Sequence, residues 1–190
     1  MRVTNFLDAQ QYFPYYYGYL LALENFASGG AFAGQLDRFP LSTAQVMNAA
    51  KYAAFSPPTI TGIEQHGDLT KTALGKPIYA DTMGRFFVES AIAFNMDSGK
   101  TASWKSAAEW VGDRVAVFGT GHEKLIVWEI QWAAEGAARE FENVFKRAAA
   151  NIAQKVNGSK LRISRKGTRT LILDGADDKQ TALASDALGM

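Results

Sequence analysis

The sequence predicts an α+β fold, with a helical N-terminal layer packed on a small, mainly antiparallel sheet crossed by one long helix. Three observations carry that expectation. Residues 113–118 and 124–132 read as the strands of a β-hairpin joined across Gly119-Thr120-Gly121-His122. The segment after them repeats Ala137, Phe141, Val144, Phe145, Ala148, Ile152 and Val156 at helical spacing. Residues 160–166 and 168–174 alternate again about Lys166-Gly167, and extending the first hairpin's sheet is their simplest use.

The second strand sets the orientation of the rest. Successive side chains on a strand point to opposite faces. Ile126, Trp128, Ile130 and Trp132 therefore share one face, and Leu125, Val127, Glu129 and Gln131 the other. The first face is wholly apolar and needs a roof, which the helix over 135–155 supplies. Glu135 precedes Arg139 by four residues and Glu142 precedes Lys146 by four, pairs worth about 0.3 kcal/mol each that mark the wet side of that helix.

Upstream, Pro14 to Ser28 reads as a helix, because proline suits a first turn and Gly29-Gly30 is a strong stop. Residues 31–39 form a short helix ended by Pro40, and Ser42 caps another over 43–52. Pro57-Pro58 breaks the chain before a short strand at 59–64 and a polar loop at 66–76. Asp81 is the expected N-cap of a helix over 82–96, and a further helix covers 102–110. Residues 1–175 thus read as a single α+β domain. Residues 176–190 read as a polar, flexible C-terminal tail with room for one short helix near 181–188.

Composition narrows the function classes. With 47% hydrophobic and 21% charged residues in 190, a core can form without staples. A net charge of +1 gives no field to hold nucleic acid. The absence of Cys removes disulfides, thiolate nucleophiles and thiolate metal sites. No run approaches the roughly 20 apolar residues of a membrane span. Met1-Arg2-Val3-Thr4-Asn5 lacks the apolar core of a leader, so the chain is either cytoplasmic or a piece whose leader was removed.

Chemistry-bearing motifs are sparse. His122-Glu123 opens like the zinc-protease pattern His-Glu-x-x-His, but the fifth position is Ile126 and the pair enters a strand, where two imidazoles would not share a face. His66 stands alone in a polar loop. Gly119 and Gly121 lack the third glycine and following helix of a nucleotide fingerprint. No metal and no cofactor is expected. The carboxylates in apolar surroundings are Glu24, Asp81, Glu89, Asp113 and Glu129. Asp113 and Arg114 read as an ion pair fixing the strand entry. Trp128 and Trp132 read as core, with a stacking platform as the alternative. Tyr16 and Tyr17 read as rim residues of a core helix, with a lined ligand groove as the alternative.

Several segments together resemble the C-terminal half of a group of mostly uncharacterised bacterial proteins that look like zinc metallopeptidases. Phe13-Pro14-Tyr15-Tyr16-Tyr17-Gly18 with its Gly29-Gly30 stop resembles the group's Phe-Pro-Tyr helix. Pro40-Leu41-Ser42-Thr43-Ala44-Gln45-Val46 through Lys51-Tyr52 resembles its Pro-x-Ser-Thr-Glu-Gln-Ile…Lys-Tyr segment. Asp81-Thr82-Met83-Gly84 resembles Asp-Thr-Leu-Gly, and Trp110-Val111-Gly112-Asp113-Arg114 resembles Trp-Gly-Gly-Asp-Arg. Trp128, Trp132 and Ala138-Arg139-Glu140-Phe141 complete the match. The group's zinc helix, of the form His-Glu-Leu-Thr-His-Ala-Leu-Gln-Asp-Gln, has no counterpart here. Asn48 and Ala49 stand about where the group has a His-Pro pair, so no metal ligand carries over.

The resemblance implies a non-catalytic module that packs on, or completes the substrate cleft of, a zinc-peptidase-like domain absent from this chain. It also allows an extracytoplasmic location. Docking would use the aromatic helix 14–28. The alternative is a free-standing binding module whose pocket lies between that helix and the sheet. Candidate binding residues are Tyr16, Tyr17, Asp113, Arg114, Trp128 and Trp132. An enzyme ranks last, because no nucleophile–base pair is visible.

Overall fold

A computed structural model describes residues 6–29, 38–59, 63, 76–95, 105–120, 123–155 and 160–190. Helix α1 runs over Phe6–Ala27, α2 over Thr43–Val46 and α3 over Ala49–Ala54. Strand β1 is Tyr79–Asp81 and helix α4 is Gly84–Ala93. A 3-10 turn at Lys105–Glu109 leads into β2, Trp110–Thr120, which pairs with β3, Glu123–Trp132. Helix α5 is Glu135–Lys155, and β4 (Arg162–Lys166), β5 (Arg169–Asp174) and α6 (Asp178–Leu188) complete the order. His66, His122 and most of the segments expected at 31–39 and 59–64 lie outside the described residues.

The α+β expectation holds. The strands form one five-stranded sheet in the order β1-β2-β3-β5-β4, every neighbouring pair antiparallel. The second hairpin joins the first through β5, which lies beside β3 with Trp128 opposite Ile172. The short edge strand β1, with Ala80 opposite Ala116, has no strong signal in three residues of sequence.

Three of the four apolar side chains on the first face of β3 lie under α5 and α4. Trp128, Ile130 and Trp132 join Phe141, Phe145, Val88 and Ile92 in one cluster. Ile126 lies outside that cluster and is partly exposed. The Trp132 and Phe141 rings pack with centroids 4.9 Å apart, and each such buried aromatic contributes several kcal/mol.

The opposite face is covered too, and here the structure departs from the expected flexible tail. Leu125, Val127, Phe118, Leu171 and Leu173 pack under Ala184 and Leu188 of α6. Asp177 begins that helix with a reciprocal capping box: its side chain accepts from Gln180 N–H, and the Gln180 side chain accepts from Asp177 N–H. Lys166 and Arg169 donate to the Gly189 and Leu188 carbonyls at the other end, where the helix dipole favours cations. The polar composition of 176–190 belongs to the outer face of a short amphipathic helix.

Three further boundaries differ. Helix α1 starts eight residues before Pro14, so the proline sits inside the helix and forfeits the bond its N–H would make to the Gln10 carbonyl. The helix expected at 102–110 is a 3-10 turn where described, and Trp110 already belongs to β2. Helix α4 begins at Gly84, and Asp81 does not cap it: that carboxylate accepts from the Tyr79 hydroxyl and Thr82 N–H. No helix among the described residues is long and apolar enough to cross a membrane.

Candidate functional site

Asp113 is the polar centre of the molecule. It sits on β2, fully buried, on the face turned toward α4. Its Oδ2 accepts from Met83 N–H at 2.9 Å and from the Trp128 indole N–H at 2.8 Å, and its Oδ1 accepts from Gly84 N–H at 2.8 Å. A strand carboxylate thus does for α4 what an N-cap side chain does: it satisfies the orphan donors of the first turn and sets a negative charge at the positive end of the dipole. Burial pushes the Asp113 carboxyl above its ordinary range, and the three N–H donors offset part of that. The Trp110 indole also acts on this carboxylate, although its buried Nε1 makes no hydrogen bond of normal geometry.

Close backbone approaches lock the junction. A Cβ on Gly112 would lie 1.7 Å from the Thr59 carbonyl oxygen, because Thr59 N–H bonds the Val111 carbonyl at 2.9 Å and draws that loop onto β2. Gly84 has φ +81°, and a Cβ there would meet Thr43 Oγ1 at 2.5 Å. Thr43 Oγ1 accepts from Phe86 N–H at 3.2 Å, a second cap on α4 delivered from α2. Gln45, buried, accepts from Leu41 N–H and donates to the Ser56 carbonyl. Lys51 donates through Nζ to the carbonyls of Ala108 at 2.5 Å and Trp110 at 3.0 Å, and burial, then the nearby Arg85, lowers its pKa. Residues from 40–52, 81–84 and 110–114 and Trp128 therefore meet around one carboxylate.

The structure separates the candidate binding residues. Trp128 and Trp132 are 6% and 1% exposed and are core, their indole nitrogens bonded to Asp113 and to Thr170 Oγ1. Tyr16 and Tyr17 lie on α1, and an aromatic contact chain fills the space between: Tyr17 on Phe13, Phe13 on Phe86, Phe6 on Phe86 and Phe87, Phe87 on Trp128. Asp113 and Arg114 do not form the expected ion pair, since adjacent strand residues face opposite ways; the Arg114 charge acts on Asp81 instead.

Glu24 is exposed on α1, and the other two carboxylates have structural partners. Glu129, buried mid-strand, accepts from Arg169 Nε, and Arg169 also holds the end of α6. Glu89 pairs with Arg85 at 2.8 Å beside Tyr17, whose hydroxyl is pushed up by burial first and by Glu89 second. Among the described residues no group of three or more His, Cys, Asp or Glu is placed to hold a metal. Asp113 is a candidate in the sequence, but its capping role is not legible there, because the cap and the helix it caps are 29 residues apart.

What the structure leaves open is α1. None of its residues is buried, and Tyr12, Tyr15, Tyr16, Tyr19, Leu23 and Phe26 are exposed. At 100° per residue these six fall within one stripe.

Fold and junction together define an α+β domain with a carboxylate-capped helix at its centre and an aromatic helix laid on its outside. The chain belongs to the family described as Domain of unknown function (DUF8575), which matches residues 72–184, more than half of its length. That range takes in β1 through most of α6 and leaves α1, α2 and α3 outside. No curated protein and no solved structure matches the chain.

Proposed function

We propose that this chain is a non-catalytic packing module that docks through the aromatic stripe of α1 onto a partner domain, by resemblance a zinc-peptidase-like one whose cleft it helps to form. The observation that carries the reading is the stripe itself. A 22-residue helix with no buried side chain exposes Tyr15 at 78% and Phe26 at 71% on one side. Contiguous exposed apolar surface of this kind marks interaction sites, and Tyr is favoured there because it joins a large apolar area to a polar tip. The buried carboxylates support the non-catalytic part: Asp113 and Glu129 are each bonded into the framework.

The test mixes the full chain with a His-Glu-x-x-His domain of the zinc-peptidase-like group and follows association by light scattering after size exclusion. A one-to-one complex that is lost in the Tyr15→Ser/Tyr19→Ser double variant is the expected result. A complex that forms equally well with the double variant, or tyrosines that stay open to iodination inside it, overturns the proposal. The contacts of Phe86 with Phe13 and of Phe87 with Trp128 favour the docking reading over a pocket between this helix and the sheet.

A further inference from the structure

A second surface, independent of α1, lies at the far edge of the sheet. Strand β4 is terminal in the strand order and pairs only with β5 among the described residues. Between it and α5 runs an open groove of about 440 Å³. Lys146, Ala149, Ala150 and Ala153 line its helix side, and Lys160, Leu161, Arg162 and Ile163 its strand side. The groove exists because three alanines stand where longer side chains would have closed helix onto strand.

The hairpin geometry says which backbone groups face that opening. Gly167-Thr168 is a two-residue turn, so Lys166 and Arg169 are the closing hydrogen-bonded pair. Antiparallel pairs alternate, which makes Arg165↔Thr170 and Ile163↔Ile172 the non-bonded pairs. Ile163 and Arg165 therefore turn their N–H and C=O groups away from β5, toward the open edge.

The side chains of this edge are sorted by face. Leu161 and Ile163 point to the α5 side and floor the groove; Lys160, Arg162 and Lys166 alternate toward the other face of the strand, with Lys160 and Arg162 still bordering the groove. From Lys160 to Lys166 the chain carries four cations and no acid. Arg165 is held by Glu135 and Glu142, Lys146 also pairs with Glu142, and Arg162 pairs with the exposed Asp178. Asp174 accepts from Lys160 N–H and the Gly189 carbonyl accepts from Lys166 Nζ, so Asp174 and Asp178 offset part of the strand's four cations and leave the edge net positive.

We propose that β4 takes an extended peptide as a sixth strand, one that alternates apolar and acidic residues. Its main chain pairs with Ile163 and Arg165, its apolar side chains enter the alanine-lined groove, and its carboxylates face Lys160, Arg162 and Lys166. Strand addition to an open edge beside a side-chain pocket is a recurring mode of peptide recognition, and opposite charges across adjacent strands stabilise the pairing. A second copy of β4 is the wrong occupant, because it would set cation against cation along the edge.

The test uses the full chain and a fluorescein-labelled peptide of alternating glutamate and valine or leucine, read by anisotropy, with amide exchange by NMR. Saturable binding with new protection at Ile163 and Arg165 is expected. Lys160→Glu, and Ala150→Leu on the exposed groove wall, each weaken it about tenfold or more, and a lysine-for-glutamate peptide does not bind. No saturation below about 1 mM, unchanged affinity in both variants, or protection falling on β1 overturns the proposal, as does a dimer formed through β4.

Discussion

At Asp113 one side chain serves three elements, and its replacement should register in all of them. Asp113→Asn keeps the shape but offers one acceptor oxygen to three donors and turns an amide N–H₂ toward one of them. We expect a loss of about 2–3 kcal/mol in urea unfolding, the range for buried hydrogen bonds to a charged group. Because burial raises the carboxyl's pKa, the folded state takes up a proton before the unfolded one does. Ionisation of Asp113 therefore costs stability as pH rises from the unfolded value through the raised folded one. Asp81 works the other way: the Tyr79 hydroxyl and Thr82 N–H hold it low. Glu142 does too, since Lys146 and Arg165 outweigh its burial. The stability these two contribute is present above their unfolded pKa values and is lost as pH falls through the folded ones. Removing the opposing group should thus steepen the acid loss: above the ordinary carboxylate range, acidification adds stability in the parent through Asp113 but not in Asp113→Asn. Gly112→Ala should be the harsher change, costing about 3 kcal/mol or more, since backbone rather than a movable side chain blocks its Cβ. Gly84→Ala meets a side chain that can rotate, Thr43, but is strained by its φ of +81° as well. These positions were legible as a motif in the sequence, but a one-dimensional pattern does not say that residues 84 and 113 touch.

At the scale of elements, the two sides of β3 explain why two different helices are needed. Trp128, Ile130 and Trp132 require α5, and that pairing followed from period two meeting period 3.6. Phe141→Ala should cost about 3–5 kcal/mol, because the ring fills the space against Trp132 and Phe145. Leu125 and Val127 require α6, which composition disguised: a short helix that buries Ala184 and Leu188 reads as a polar tail. Asp177→Ala should remove about 1 kcal/mol by breaking the capping box. Ending the chain at Gly175 should uncover Leu171 and Leu173, giving faster amide exchange in β5 and binding of a hydrophobic dye, whereas a free tail would leave both unchanged. The boundary of α4 was misread for a related reason. Asp81 had the right residue type at the right spacing, but its carboxylate is spent locally on Thr82 and Tyr79.

For the whole molecule, the contrast lies between a sheet covered on both faces and a first helix with no residue fully buried. Tyr15→Ser and Tyr19→Ser should change stability by less than about 0.5 kcal/mol, as exposed substitutions do, while removing any association that depends on the stripe. Phe13→Ala, on the packed side of α1, should instead loosen the helix by undoing its contact with Phe86 at 4.4 Å. Comparing the two faces of one helix separates a docking role from a folding role.

The sequence by itself determined the α+β class, both hairpins and the long helix, because alternation and helical periodicity are local and each face of β3 declares its own polarity. Tertiary structure alone decided that β5 rather than β4 lies beside β3, that Asp113 caps a helix 29 residues upstream, and that the aromatic helix lies outside the core. Those outcomes rest on contacts between distant segments. An aromatic ring carries the same hydrophobicity whether the fold covers it or leaves it to meet something else.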